Sequence, residues 1–422
     1  MTEVSKTAAS QHPLTASLHI RNYRLLFASQ GVSLTGTSMQ NVAQAYLVLH
    51  LTNDYLAMGL VVALQYLPVL IFGAAAGVVA DRFNKRRILQ VTDSASAVLA
   101  LFLAVLVATG SVRVWQVYVL AFLLGMTNML NQPAVQSFNV EVVGQELVTN
   151  AVGLNMMELN VSRTLGPLLA GVLLYAAGFS ACFFINAASF WISLGCLAAM
   201  RTADLHPSKP AAREHGQVRA GLRYVWATPK LRTTLFLTAV VGVFTFNFPV
   251  TLPLLGKEIL DNGPLGFTLL FSCFGVGGMI GSLLVASHRA AGTDGLEWIG
   301  VTFGALVLLV AAMPWGWAAA LACLIMGVAA FGFASTAGAI LQGASRPEMR
   351  GRVMALWLVA VIGSFPIGAP LMSWVAKSAG ARGSLVFGGV VCILASSAYL
   401  VHDRVRAARS PDIVTPSPAT TS

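Results

Sequence analysis

Three ionisable side chains stand inside otherwise uncharged apolar runs: Asp93, Glu158 and Arg163. A charge at the centre of a membrane-crossing helix costs roughly 2.5–3.5 kcal/mol on insertion scales, so each must face protein or water rather than lipid. Glu158 is the side chain expected to take up and release protons, the chemistry that a partly buried carboxyl offers at a working site. Asp93, near the start of its run, is a second candidate for that role, with a headgroup-level charge or a helix cap as the competing reading. Arg163 is expected to organise a cavity or to bind an anionic group of a substrate. Glu158 and Arg163 lie five residues apart, which is ~140° around a helix. A tight pair within one helix is therefore not expected, and each should meet partners on other helices. A buried structural network is the alternative for both.

Uncharged polar residues recur at helical spacing around these charges. Gln30, Ser33, Thr37, Gln40 and Gln44 form one stripe, and Asn128, Asn131, Gln132 and Gln136 form another. Asn155, Glu158 and Ser162 continue the pattern, and Asn247 is a weaker, isolated case. In lipid such stripes are costly unless they line water or another helix. The reading adopted is a substrate cavity; hydrogen-bonded packing between helices is the alternative. Trp115, Trp315 and Trp317 sit at the ends of apolar runs, where an interfacial belt is expected rather than a ligand cage.

The elements that carry these residues follow from composition. The 422 residues are 56% hydrophobic and only 10% charged, with mean hydropathy +0.75. Soluble domains run near 25% charged, so a soluble globule, a disordered chain, a disulfide scaffold and a coiled coil are all excluded. Stretches without Asp, Glu, Lys or Arg cover 25–53, 55–80, 94–112, 114–140, 164–200, 233–256, 262–287, 298–345, 353–376 and 383–402. A crossing needs about 20 apolar residues. The 164–200 run is expected to break near Gly178, and the 298–345 run at Pro314-Trp315-Gly316. With the fifth crossing extended back to about Asn150, the expectation is an all-α polytopic membrane protein of twelve transmembrane helices. Barrel strands would instead show short alternating segments.

Loop charges set the orientation. One set of loops holds 21 Lys and Arg, the opposite set only Arg113, Lys257, Lys377 and Arg382. The positive-inside rule then places both termini and the long central loop in the cytoplasm, at an inner or plasma membrane. Residues 1–18 are polar and show no apolar segment of a cleavable signal. The expected layout is a flexible tail (1–20), a six-helix bundle (21–200), a cytoplasmic linker (201–232), a second six-helix bundle (233–402) and a flexible tail (403–422). Within the linker, Gly216–Arg232 should form an amphipathic surface helix.

Other chemistries find no support. The net charge of +10 is spread over short clusters between apolar runs, not gathered on a nucleic-acid-binding face. The five cysteines lie inside apolar runs, and no cysteine or histidine spacing suits a metal. No GxxxxGK[ST] sequence is present, so ATP is not expected as the energy source. Neither cofactor nor metal is expected.

The two halves echo each other. At an offset of 202, Glu146 matches Glu348, Leu154 matches Leu356, and Gly166 matches Gly368; Gly73 and Gly77 resemble Gly277 and Gly281 at offset 204. Parallel six-helix repeats with a cavity between them are one transporter layout.

The sharpest motif is Gly77-Val-Val-Ala-Asp81-Arg82-Phe-Asn84-Lys85-Arg86-Arg87. Gly77 allows close helix approach. Asp81 suits a helix N-terminus, and Asn84 suits a left-handed turn. Here the sequence resembles the major facilitator superfamily, which carries G-x-x-x-D-R-x-G-R-R in this loop. The resemblance implies a gating role for Gly77, Asp81, Arg82, Arg86 and Arg87. Asn84 replaces the family's glycine, and the second half lacks the Asp-Arg pair, so the role is carried to the first half alone. Arg21-Asn-Tyr-Arg-Leu-Leu-Phe27, Pro68 through Arg82, Arg163-Thr-Leu-Gly-Pro167 with Gly171, and Gly221-Leu-Arg-Tyr-Val-Trp226 resemble the enterobactin-exporter-like and multidrug-efflux branch. Gly166, Pro167 and Gly171 are similar to the antiporter motif of exporting members.

The resemblance implies a monomeric secondary transporter that exports a small amphipathic compound, a drug, siderophore or secondary metabolite, in exchange for protons. An importer or uniporter of a nutrient is the alternative on the same fold. A membrane-embedded enzyme would need a catalytic array that the three intramembrane charges do not form. A sensor would need an output domain, and residues 403–422 are short and rich in Ser, Thr and Pro.

Overall fold

The computed structural model describes residues 15–206, 217–260, 264–287, 295–346 and 348–409. Most of both expected tails and much of the expected linker lie outside the described residues. Twelve helical elements follow one another, with no strand among the described residues: α1 (Arg21–Thr52), α2 (Tyr55–Arg82), α3 (Lys85–Ala108), α4 (Val114–Ala198), α5 (Gln217–Ala227), α6 (Pro229–Phe244), α7 (Phe248–Leu260), α8 (Pro264–Ser287), α9 (Leu296–Ala312), α10 (Gly316–Gly343), α11 (Arg350–Ile362) and α12 (Phe365–Arg409).

Elements and crossings do not correspond one to one. Seven helical stretches are long and apolar enough to span a membrane, and α9 is shorter. The 85-residue α4 is interrupted at Gly144 (φ 72°) and Gly178 (φ 78°), and α12 at Gly380 (φ 77°). Glycine populates positive φ without steric cost, so it sits where a helical run must turn. The turns are sharp: Asn131 and Ser193 both hydrogen-bond Asp93, yet a straight helix would hold them ~90 Å apart. α4 therefore comprises stretches 114–143, 145–177 and 179–198, and α12 comprises 365–379 and 381–409. The expected breaks at Gly178 and at 314–316 are both present.

Local sequence explains the ends. Asn53 takes the left-handed conformation (φ 51°) after α1, and the Asp54 carboxylate accepts from the Leu56 N–H to cap α2. Asn84 corrects an expectation. Its φ of −61° and ψ of 115° are extended, not left-handed. Its side-chain oxygen accepts from the Arg87 N–H, so it caps α3 instead of turning the chain. The amphipathic helix is shorter than expected: α5 ends at Ala227 and Pro229 opens α6, four residues before the expected boundary at 233.

The halves meet along two antiparallel seams of small residues. On one, Gly171 packs against Thr268 and Gly275 against Thr164, joining the middle stretch of α4 to α8. On the other, Gly59 packs against Ala369 and Ser373, Tyr66 stacks on Phe365, and Gly363 meets Leu70, joining α2 to α11 and α12. Small side chains let helix backbones approach closely where lipid offers no hydrophobic drive.

The repeat is visible in contacts as well as in letters. Gly166 packs on Ser38 and Met39 of α1, and its counterpart Gly368 packs on Val243 and Asn247 at the end of α6. Gly125 meets the Gln65 carbonyl of α2; Gly327, 202 residues later, meets the Phe274 carbonyl of α8. Asp93, Asn131 and Ser193 are echoed at offsets of 203 to 205 by Glu297, Thr336 and Ser396; all six are buried except Asn131, which is half-buried.

Candidate functional site

Glu158 and Arg163 share the middle stretch of α4 but face different neighbours. Glu158 is 5% exposed and lies against Gly31 of α1, where a methyl group would come within 2.9 Å of its Oε1. Asn155, one turn before it, and the Gly31 backbone are its polar neighbours. Oε1 itself has no hydrogen-bond partner among the described residues. The same α1–α4 contact continues through Thr35 Oγ1 and Ser162 Oγ, 3.0 Å apart, and through Gly166.

Arg163 points elsewhere. It is exposed, although it adjoins Thr164 on the α4–α8 seam. Its exposed apolar neighbours Leu165, Leu168 and Val172 lie ~140–200° away around the helix and form the lipid face. The ionisable side chain that interacts with Arg163 is Tyr66 of α2, which stands on the other seam, stacked on Phe365 at 4.7 Å. Arg163 and Tyr66 are thus within electrostatic range of each other, Arg163 next to one seam and Tyr66 on the other. Glu158 and Arg163 form no ion pair, as their spacing implied.

Asp93 is held by the first bundle. Its Oδ2 accepts from Ser193 Oγ at 2.6 Å and its Oδ1 from Asn131 Nδ2 at 3.0 Å. Since Ser193 donates to Asp93, Ser29 must donate to Ser193 across their 2.6 Å contact. Asp93, 1% exposed, thus ties α3 to α1 and to two stretches of α4. It is not a cap, a role Asn84 fills for α3.

The α1 stripe divides. Gln40 accepts from Asn186 Nδ2 at 2.7 Å, and Gln44 Nε2 donates to the Val117 carbonyl at 3.1 Å. Both bond the first or last stretch of α4, so they join helices and do not line an open surface. Gln30 and Ser33 are also buried, while Thr37 is half-buried. On α4 the outcome differs. Gln132 and Gln136 are exposed and Asn128 half-buried, on the face opposite exposed Val119 and Leu123. That polar stripe is turned away from lipid. Asn155 is half-buried beside Glu158.

Asn247 is fully buried at the break between α6 and α7, where its Nδ2 donates to the Val243 carbonyl at 2.6 Å. It serves the carbonyl groups freed when α6 ends, which displaces it from the expected cavity.

The expected gating motif straddles the end of α2 and the start of α3. Arg82 and Arg87 are exposed, Gly77 is half-buried, and the Asp81 side chain lies outside the described residues. Arg86 donates to the Leu197 and Ala198 carbonyls at 2.9 and 3.0 Å, closing the C-terminal end of α4. In the antiporter-like motif, Gly166 faces α1, Gly171 faces α8 and Pro167 is buried. Gly166 thus packs within the first half, and Gly171 meets the second. No group of His, Cys, Asp and Glu suits a metal among the described residues, and all five cysteines are free.

Sequence reasoning missed Tyr66 and Phe365. They come from different halves, and an aromatic in an apolar run carries no local signal of facing a cavity. A groove lined by Ser94, Val98, Leu99, Leu123 and Met126 is apolar and includes none of the expected site residues.

Long apolar helices, folded back at glycine breaks and packed along antiparallel seams of small residues, are the architecture of a multi-pass membrane protein. The family described as transmembrane secretion effector matches residues 13–419, and this chain belongs to that family of major facilitator transporters. It is 22% identical over 367 residues to the Staphyloferrin A transporter of Staphylococcus aureus, covering 83% of this chain and 88% of that protein. It is 24% identical to the Enterobactin exporter EntS of Salmonella typhimurium, covering 83% and 84%. It is 22% identical to Macrolide efflux protein A of Streptococcus pyogenes, covering 88% and 95%. Among solved structures, a bacterial homolog of the human lysosomal transporter Spinster, inward-facing and occupied, superposes with a TM-score of 0.75 at 13% identity, covering 91% of this chain and 97% of that one. The nucleoside transporter NupG superposes with a TM-score of 0.67 at 14% identity, covering 93% of this chain and 100% of that one. These structures share the fold. Efflux proteins recur among the relatives, and the family and its structural neighbours are transporters, not enzymes.

Proposed function

We propose that this protein exports a small amphipathic compound, a drug, siderophore or secondary metabolite, in exchange for protons by alternating access. The observation that carries the proton half of this reading is Glu158: a buried carboxyl with an unpartnered oxygen, on the helix that also forms the seam between the halves. Such a group gains or loses a proton at low structural cost, and its state biases the α1–α4 contact beside the substrate space. Export is favoured by the efflux relatives and by the antiporter-like Gly166-Pro167-Gly171 motif.

Counting the three stretches of α4, the pairs α6–α7 and α11 with the start of α12, and the remainder of α12 gives twelve crossings in bundles 21–200 and 233–402. The Lys and Arg distribution puts both termini in the cytoplasm of an inner or plasma membrane. The described contacts between halves gather at the opposite end, where Lys377 pairs with Asp54 at 3.2 Å and Lys257 donates to Asn53 at 3.3 Å. Toward the other end Ile71, Phe72, Met156 and Met157 are exposed. In this orientation the molecule is closed outward and open inward, and the segments 81–87 and 346–352 close the cytoplasmic side on transport. It works as a monomer without cofactor or ATP.

The test is efflux of a compound panel from cells expressing the chain, with and without a protonophore. Protonophore-sensitive efflux that is lost in Glu158→Gln, with protein still in the membrane, is the expected result. Uptake of panel members, or pH-driven efflux surviving Glu158→Gln, would refute the direction or the proton site respectively.

A further inference from the structure

Arg163 carries its charge without an ion pair among the described residues; the ion pairs formed there are Lys85–Glu141 and Lys377–Asp54. Glu158 is turned to α1. In the opposite half 265–287, 300–345 and 353–400 contain no Asp or Glu; Glu258 accepts from the Ala381 N–H, and Glu297 is buried in the first turn of α9. An exposed guanidinium among protein walls retains water but loses much of bulk solvation, so its field extends into the space before it. A guanidinium is also the side chain best shaped for bidentate bonding to carboxylate, phosphate or sulfonate oxygens. Within electrostatic range of it is Tyr66, an aromatic with a hydroxyl, paired with Phe365 from the other half at 4.7 Å and 23° between ring planes. A flat apolar surface within electrostatic range of a cation is complementary to a molecule with an apolar or aromatic body and one anionic head.

We infer that the transported compound is an anionic amphiphile, its acid group bound by Arg163 and its apolar body set against Tyr66 and Phe365. The inference rests on the reading that the space between the seams is the substrate site. Because Tyr66 and Phe365 belong to different halves, the bound compound bridges them. Rocking of the halves then changes the aromatic contact while the acid group stays on Arg163.

The experiment measures binding alone, so it does not depend on coupling or direction. The full-length protein is placed in nanodiscs of uncharged phosphatidylcholine and titrated with 1-pyrenebutyrate and with its uncharged amide, which differ only in the head group. The expected result is at least ~10-fold tighter binding of the carboxylate, ~1.4 kcal/mol. Arg163→Gln should abolish that preference while leaving amide binding unchanged. Arg163→Lys, which keeps the charge but loses the fork, should retain part of it. Tyr66→Ala should weaken both probes alike. Equal binding of the two probes, or a carboxylate preference that survives in Arg163→Gln, would overturn the inference, as would full displacement of the carboxylate by inorganic phosphate at equal concentration. If the preference holds while cells show no efflux, the export reading fails and the anion site stands.

Discussion

Glu158 rests on Gly31. The carboxylate oxygen without a partner lies where a methyl group on Gly31 would approach to 2.9 Å. The clash would fall on the far end of a flexible side chain, so Gly31→Ala should fold and reach the membrane. It should displace the Glu158 carboxyl from α1 and reduce pH-driven flux several-fold, with a change in melting temperature of no more than a few degrees. Transport in vesicles under an imposed pH gradient checks this; unchanged flux would show that the contact with Gly31 plays no part in coupling.

Asp93 should prove structural. In Asp93→Asn, Ser193 can reverse, accepting from the new amide and donating to Ser29, so the network survives. Asp93→Leu instead strands Ser193 and Asn131, at about 1–3 kcal/mol for each buried group left unpaired. The expected outcome is near-normal flux per folded molecule for the Asn variant and a clear loss of thermal stability for the Leu variant. If Asp93→Asn is as stable as the parent yet loses pH-driven flux, the proton role belongs to Asp93.

The Asp54–Lys377 pair should bias the conformational equilibrium only modestly. Both side chains are more than a third exposed, at 36% and 56%, and pairs of this kind are worth ~0.2–1 kcal/mol. Asp54 also caps α2, so Lys377→Ala is the cleaner probe. It should raise the outward-open fraction by up to about fivefold, read as distances between spin labels on the Asn53 and Lys257 ends. Added salt should shrink the difference between parent and variant. A salt-independent effect would point to packing rather than charge.

Gly166 and Gly368 should be equally intolerant of bulk. Each packs on the first helix of its own half, and a side chain there meets backbone atoms that cannot yield. Gly166→Val and Gly368→Val should each cost about 1–3 kcal/mol from overpacking, seen as lower melting temperatures in detergent. Gly153, which faces open space, should accept Ala with no loss and serves as the control.

The sequence by itself determined the helices, their approximate ends and the twofold repeat. Each depends on length, hydropathy or spacing along one segment. It could not decide what a polar face meets. Gln40 and Gln44 on α1, and Gln132 and Gln136 on α4, show the same helical periodicity. The first pair bonds neighbouring helices and the second is exposed, because the pattern reports only that a face avoids lipid. Asn247 looked like a cavity residue until the break after α6 gave its amide a carbonyl to serve. Tertiary structure alone set Glu158 against Gly31 and brought Arg163 within electrostatic range of Tyr66. Five residues of helix separate the two by ~140°, and which partner fills each direction depends on helices up to about 130 positions away in the chain.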